Sequence, residues 1–155
     1  MRKLILKPGS PDMEGVSLDD AWPWDSGSID KILVVDLAET VACRMHFMRE
    51  AWRVLRMGGE IDVTVLDSEK SEGAYDDPRV RSWWTEKTWG YFLPGAIATL
   101  KRCAFRILAG STPAPDKDGR VYVRAVCTKV ADAEQVVPES VPGRRDNPES
   151  ASPGS

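Results

Sequence analysis

Few residues of this 155-residue chain are of the types that carry out acid–base or nucleophilic chemistry. The single histidine, His46, falls off the apolar side of a helical repeat, which is typical of a boundary residue rather than a catalytic base. The three cysteines, Cys43, Cys103 and Cys127, lie far apart in apolar segments, so we expect buried free thiols. The sequence contains no recognisable Ser/His/Asp, Cys/His or metal-ligand arrangement. Residue types alone therefore assign no catalytic residue, and the remaining candidates are carboxylates that follow apolar stretches.

Composition limits the classes of function. Apolar residues make up 42% of the chain and charged residues 29%, which is typical of a soluble globular domain. No apolar run approaches the roughly 18 residues that a membrane span needs. The formal net charge of −3 provides no general attraction to phosphate backbones or anionic lipids. We therefore expect no nucleic-acid or membrane partner, and the short apolar stretch in residues 1–6 favours a cytoplasmic protein over an exported one.

The centre of the chain predicts a strand, a helix and a second strand. Residues 31–36 form a continuous apolar run, which indicates a strand covered on both faces. Apolar residues recur every three or four positions over Val41–Arg56, which predicts a helix with Thr40 as its N-cap and Gly58-Gly59 as its end. Glu60–Leu66 alternates apolar and polar residues, as in a strand with one buried face. We expect these two strands to be parallel.

The flanking segments complete one domain. Lys3–Leu6 reads as a strand, and residues 7–28 read as loop with a brief extended piece at Val16–Leu18. Two further strands, Phe105–Ala109 and Arg120–Lys129, are adjacent along the chain and predict an antiparallel hairpin. Helical signals run through 79–103. Residues 1–130 thus predict one α/β domain, followed by a Pro/Ser-rich tail, 131–155, that we expect to be disordered.

Several motifs in this order resemble the class I S-adenosylmethionine-dependent methyltransferases, of the methyltransferase type 11-like kind. Residues 53–59, R-V-L-R-M-G-G, are similar to the family's R-V-L-K-P-G-G turn, and residues 22–30 are similar to its L-P-F-P-D-G-S-F-D stretch. Asp77-Pro78 and residues 84–92 resemble a segment of one bacterial and phage subgroup. The resemblance covers roughly residues 3–129. It implies a reduced Rossmann-like sandwich, with a mostly parallel sheet that ends in an antiparallel C-terminal hairpin.

The resemblance also implies S-adenosylmethionine as cofactor, bound at the carboxyl ends of the parallel strands. In the family a glycine-rich turn follows the first strand, and here only Gly9 of that turn remains. Pro8 replaces a small residue and removes a backbone N–H donor. Lys7 is either a charge partner for the cofactor's carboxylate or an exposed surface lysine.

A second group of candidate cofactor residues lies in the loop before residue 22. Asp19 or Asp20 would accept the two ribose hydroxyls, because a carboxylate takes two hydrogen bonds in a fork. Asp20-Ala21 alternatively resembles the pair that reads the adenine edge. The chain is too short for both readings, which indicates that a strand–helix–strand piece, or part of one, is missing.

The loop after the central strand carries the third group. Asp36 and Leu37 occupy positions where the family contacts the cofactor through the backbone and one polar side chain. Glu39 stands where the family has a glutamate, and it is equally compatible with a charge favoured at a helix N-terminus. The resemblance therefore implies cofactor-binding roles for Gly9, Asp20, Ala21, Asp36 and Leu37.

Two functions remain in competition at this stage, and a third possibility is that the same fold uses another nucleotide. The first is methyl transfer to a small-molecule or saccharide acceptor, for which positioning and desolvation can supply much of the rate because the sulfonium is already activated. The second is a catalytically inactive binding or interaction module, which the reduced glycine turn favours. Trp22 and Trp24 could wall the pocket. Trp83, Trp84 and Trp89 could fill the core, line a substrate lid or form the face of a homo-oligomer.

Overall fold

The computed structural model describes residues 1–96, 103–111 and 114–131. One α-helix in this part of the chain, α1, spans Arg44–Val54. The strands are β1 (Lys3–Leu6), β2 (Ile29–Val35), β3 (Leu55–Leu66), β4 (Phe105–Ser111) and β5 (Tyr122–Lys129). Short 3-10 helices occur at Pro11–Met13, Ala38–Thr40 and Glu86–Phe92. The predicted disordered tail and the signals at Ile97 and Leu100 lie outside the described residues.

The five strands form one sheet in the order β1-β2-β3-β5-β4. β1, β2 and β3 are parallel, whereas β5 runs antiparallel to β3 and β4 antiparallel to β5. The predicted parallel crossover and the C-terminal hairpin are therefore confirmed. In the doubly wound order 3-2-1-4-5-6 two further strands lie beside the first strand. Here β1 forms the edge of the sheet, because residues 7–28 lead straight to β2 without another strand.

The free edge of β1 is closed by the loop that follows it. The Ile5 amide donates to the Asp12 carboxylate over 2.8 Å, and the Ser10 hydroxyl donates to the Ile5 carbonyl over 2.6 Å. Side chains thus satisfy the backbone groups that a neighbouring strand would otherwise pair, which protects the edge from unwanted association. The extended piece predicted at Val16–Leu18 is wrong, since successive turn hydrogen bonds, such as that from the Val16 amide to Met13, curl this loop instead.

The hydrophobic core lies on one face of the sheet. A row of paired residues across four strands is at most 2% exposed: Leu4, Ile32, Ile61 and Cys127. Helix α1 and buried tryptophans such as Trp84 belong to the same core. The adjacent row, Lys3, Lys31, Glu60 and Thr128, is mostly polar. The prediction of a β2 covered on both faces is accordingly wrong, because its residues alternate between buried and half-buried positions.

The ends of α1 differ from the prediction. The Thr40 hydroxyl donates to the Leu37 carbonyl over 2.7 Å within the 3-10 turn, and Cys43 caps α1 instead. The helix ends at Val54, before the glycines, because β3 begins at the next residue. The glycines lie in an irregular segment of β3, residues 56–59, and β3 pairs with β2 on both sides of this segment. Gly58 has a φ of 76° there. A left-handed backbone at this point favours glycine.

Gly59→Ala should destabilise the protein by about 1–2 kcal/mol, because overpacking against fixed backbone is unfavourable. A Cβ atom at Gly59 would lie 2.9 Å from the Arg56 carbonyl oxygen and 3.0 Å from that of Asp30. Chemical denaturation monitored by circular dichroism measures the change. Gly90→Ala is the matched control, since nothing lies within 4 Å of a Cβ there and its φ is not left-handed. Equal stability of the two variants would contradict the close approach.

The tryptophans and cysteines divide between core and surface. Trp84 and Trp89 are buried, whereas Trp83 is 55% exposed. Cys103 and Cys127 are free thiols whose pKa burial raises to about 12. The expectation of burial is wrong for Cys43, which is exposed at the start of α1. Within the described ranges, no helix is both long and apolar enough to cross a membrane.

Candidate functional site

A cleft of about 1060 Å³ opens at the carboxyl ends of the three parallel strands. Asp36 and Leu37, which directly follow β2, lie on its wall, together with Leu66 at the end of β3 and Pro8 just beyond β1. The loop between β3 and β4 closes one side through residues in 72–81. Ligands of open α/β sheets bind at this end of the strands, so the cleft is the candidate functional site.

The backbone of Asp36 is strained. Its φ is 53°, the one left-handed value of a non-glycine residue in the described part of the chain. The Asp36 amide donates to the Thr64 carbonyl of β3 over 3.3 Å, which ties the turn to the neighbouring strand. Aspartate tolerates this conformation better than most residues, and such strain clusters at ligand-binding positions. Asp36 is therefore a functional candidate on backbone geometry as well as position.

Glu39 lies in the cleft on the 3-10 turn Ala38–Thr40. Its carbonyl accepts hydrogen bonds from the Arg81 and Ser82 amides, over 2.8 and 3.0 Å. Its Oε2 atom is buried and has no hydrogen-bond partner among the residues that the structure describes. Burial raises the pKa of this carboxyl, and the negative charges of Asp36 and Asp77 raise it further, whereas a hydrogen bond from its own backbone amide and the charge of Arg79 lower it. Since α1 begins only at Arg44, Glu39 is not an N-terminal charge of that helix.

Two arginines in the cleft wall near Glu39 already form ion pairs with aspartates. Arg79 forms a fork with Asp77, with distances of 3.0 Å from Nε to Oδ1 and 2.7 Å from Nη2 to Oδ2. The hydrogen bonds from Arg79 hold the pKa of Asp77 at about 2. Arg81 donates to the Thr40 carbonyl over 2.9 Å and pairs with Asp19. These exposed pairs contribute little stability, but they fix the loop that forms one wall of the cleft.

No cluster of three or more His, Cys, Asp or Glu residues with metal-binding geometry occurs in residues 1–96, 103–111 and 114–131.

Solved structures with a similar fold include S-adenosylmethionine-dependent methyltransferases and a cyclase. The enzyme from Mesorhizobium loti matches with a TM-score of 0.55 and 12% identity, over 74% of this chain and 67% of its own. The enzyme from Methanosarcina mazei matches with a TM-score of 0.52 and 12% identity, over 76% and 66%. The [4+2]-cyclase SpnF matches with a TM-score of 0.52 and 15% identity, over 75% and 56%.

This chain has the fold of the class I S-adenosylmethionine-dependent methyltransferases. The chain spans 56% to 67% of the length of these three structures. No protein-family model and no curated protein sequence matches it. At identities of 12% to 15% the likeness concerns the fold alone.

The methyltransferase fold brings together only some of the residues predicted to bind cofactor. Asp36 and Leu37 line the main cleft, whereas Gly9 lines a separate cavity of about 380 Å³ with Ser10 and Pro11. Asp20 and Ala21 line neither cavity. The three predicted groups are therefore separated.

The path of the 17–22 loop explains this separation. The Asp20 carbonyl lies 2.8 Å from Nε2 of His46, so this part of the loop packs beside α1. Trp22 is also turned inward: its indole donates to the Leu18 carbonyl over 3.3 Å, and its side chain joins the core. The expectation that Trp22 and Trp24 wall the pocket is accordingly wrong, since neither lines the cleft.

Several cleft residues were not predicted from the sequence. Pro8 was noted from the sequence only as a departure from the family's glycine-rich turn. Leu66 could have been found, because it ends a strand predicted to be parallel. Asp118 and Arg120 carry no comparable signal, since they lie in the loop of the C-terminal hairpin. Only the pairing of β5 with β3 brings that loop beside the cleft.

Proposed function

We propose that this protein is an S-adenosylmethionine-dependent methyltransferase that acts on a small-molecule or saccharide acceptor, with the cofactor in the cleft beside Asp36. The observation that carries the proposal is the strained Asp36, which lies with Leu37 at the end of β2 in a cleft of about 1060 Å³. The similar structures from Mesorhizobium loti and Methanosarcina mazei are described as dependent on S-adenosylmethionine. When bound, this cofactor supplies an activated methyl group on a sulfonium.

The residues of the cleft fit such a cofactor in part. Asp36 and Glu39 provide acceptor oxygens for hydroxyl and ammonium groups, and Arg120 provides a cation for a carboxylate. Leu37 and Leu66 supply apolar surface. Pro8 is the exception, because it offers no backbone N–H where the cofactor would approach the first strand. In this proposal the protein holds and orients the two reactants and excludes water, which supplies much of the rate.

Calorimetric titration with S-adenosylhomocysteine should give saturable binding that Asp36→Ala weakens by about tenfold or more, equivalent to about 1.4 kcal/mol. Asp25→Ala is the control, because Asp25 is also an exposed aspartate but lies outside the cleft. Asp20→Ala tests the remaining sequence-based prediction, and we expect its affinity to equal that of the wild type.

Two results would change the proposal. Loss of binding in Asp20→Ala but not in Asp36→Ala would move the cofactor toward the 17–22 loop. If a folded sample gives no heat at millimolar ligand, the inactive binding module is favoured. Two features support that alternative: Pro8 stands where the family has a small residue, and β1 forms the edge of the sheet, with no further strand beyond it in the described part of the chain. Binding must be measured before methyl transfer, since the cyclase SpnF has a similar fold and a different named activity. A cytoplasmic location and a homo-oligomer stay predictions.

A further inference from the structure

We infer that Glu39 is the side chain that binds a positively charged group of the ligand in this cleft. The inference deepens the proposed function, because S-adenosylmethionine carries both a sulfonium and an ammonium. The site itself is argued from Glu39 and its neighbours, and it would serve any ligand with a cationic group.

The first observation is the unsatisfied oxygen of Glu39. Glu39 lines the cleft, and its Oε2 atom is buried and has no partner in the described part of the chain. Glu50 provides the contrast, since its Oε1 accepts from Arg53 over 2.9 Å and its Oε2 accepts from the Trp22 amide over 2.7 Å. Buried polar groups are nearly always hydrogen-bonded, and an unpaired carboxylate is expensive to keep. A group supplied by a ligand would satisfy the Glu39 oxygen.

The second observation is that the backbone of Glu39 is held rigidly. Besides the two amides that bond the Glu39 carbonyl, the Ala38 carbonyl accepts from the Ser82 hydroxyl over 2.9 Å and from the Trp84 indole over 3.0 Å. Both Ser82 and Trp84 are buried. A carboxylate carried on a turn whose backbone is anchored in this way binds with a smaller entropic penalty than one on a mobile loop.

The third observation is the sign of the surrounding charge. Asp36 after β2 and Asp77 in the β3–β4 loop both act on Glu39 as negative charges. The positive side chains that line the cleft are Arg79, which is paired with Asp77, Arg81, which is paired with Asp19, and Arg120. Of these, Arg79 is the one that acts on the Glu39 carboxyl as a positive charge. A cationic ligand group would relieve the repulsion between these carboxylates, whereas an anionic group would add to it. The site therefore selects for positive charge.

The pH dependence of binding follows from these contacts. Burial and the two aspartates raise the pKa of Glu39 in the free protein, and a bound cation would favour its ionised form. Affinity should therefore rise as the pH increases through the raised pKa of Glu39, with release of protons on binding, and then level off.

The stability of the free protein gives the first test. A group with a raised pKa in the folded state stabilises the fold below its unfolded pKa, near 4.5, and this contribution is lost as the pH rises through the folded pKa. At pH 8 Glu39→Gln should therefore raise the Tm, by about 2–4 °C. Glu50→Gln is the matched control. It should lower the Tm, because Arg53 and the Trp22 amide would lose the negative charge to which they donate. A fall in Tm for Glu39→Gln would overturn the inference by making Glu39 a structural carboxylate.

Binding gives the second test, with S-adenosylmethionine and spermidine as separate probes in calorimetry between pH 5 and 8. We expect Glu39→Gln to weaken both probes by about tenfold at pH 8 and to remove the pH dependence. Equal affinity of wild type and variant for both probes would overturn the inference while leaving the proposed function intact. Spermidine binding that Glu39→Gln removes, without S-adenosylmethionine binding to the wild type, would overturn the proposed function but support the inference. Binding of neither probe to the wild type would overturn both.

Discussion

Trp84→Ala should lower the free energy of unfolding by about 3–5 kcal/mol, the usual range for removing a buried tryptophan. Trp84 is fully buried and packs edge-on against Phe47, with 6.0 Å between ring centroids. Its indole N–H also donates to the Ala38 carbonyl and to the Ser82 hydroxyl, each over 3.0 Å. The substitution therefore leaves a cavity and also loosens the turn that carries Glu39. Urea denaturation followed by circular dichroism measures the loss.

Trp83→Ala is the control for this prediction. Trp83 is the adjacent residue but is 55% exposed, so we expect a change within about 1 kcal/mol. If Trp84→Ala does not fold, the same measurement is made on Trp84→Phe, which keeps most of the apolar volume but removes the indole N–H donor. An equal effect at the two tryptophans would contradict the assignment of Trp84 to the core.

Arg53→Met should lower the free energy of unfolding by about 2–3 kcal/mol, because hydrogen bonds of a charged group to several acceptors are lost together. The Arg53 guanidinium donates to the Trp22 and Trp24 carbonyls over 3.0 Å each and to the Ser26 hydroxyl over 3.1 Å. It also bonds both carboxylate oxygens of Glu50, and these bonds lower the pKa of Glu50. Arg53 thus holds the 22–26 loop against α1, which the family resemblance of this segment does not explain.

A double-mutant cycle isolates this effect. Arg49→Met removes the same charge from an exposed position on the same helix, and we expect less than about 0.5 kcal/mol there. Arg53→Met combined with Glu50→Gln should show a coupling energy of about 1 kcal/mol or more, since both side chains hold the same loop. Additive effects in the cycle would mean that the two residues act independently.

The sequence alone determined most of the secondary structure and the strand directions. The apolar run at 31–35 and the alternation at 60–66 produced two strands, because side-chain periodicity is a local property of the chain. The intervening helix indicated that these strands are parallel, and the adjacency of the last two strands along the chain indicated a hairpin. The motif at 53–59, at its distance from the preceding apolar strand, indicated the methyltransferase fold together with the other motifs, although its glycines lie in an irregularity of β3 rather than at the end of α1.

Only the tertiary structure decided how completely each element is covered. The run in β2 predicted burial on both faces, but its alternate residues are half-buried. Such a run reports the strand's own hydrophobicity, whereas its burial depends on elements elsewhere in the chain. Trp83 and Trp84 make the same point, since adjacent residues of one type have opposite exposure.

The candidate site depended even more on the tertiary structure. Asp36 and Leu37 were predictable because they follow a recognised strand, and strand ends meet at one edge of a parallel sheet. The position of Asp20 was not, because the 7–28 loop has no regular pattern and its path is set by contacts with β1 and α1. The environment of Glu39 is created by Asp77, Arg79 and Arg81, which lie about forty residues away in sequence. Periodicity carries no information about such distant contacts, which exist only once the chain is folded.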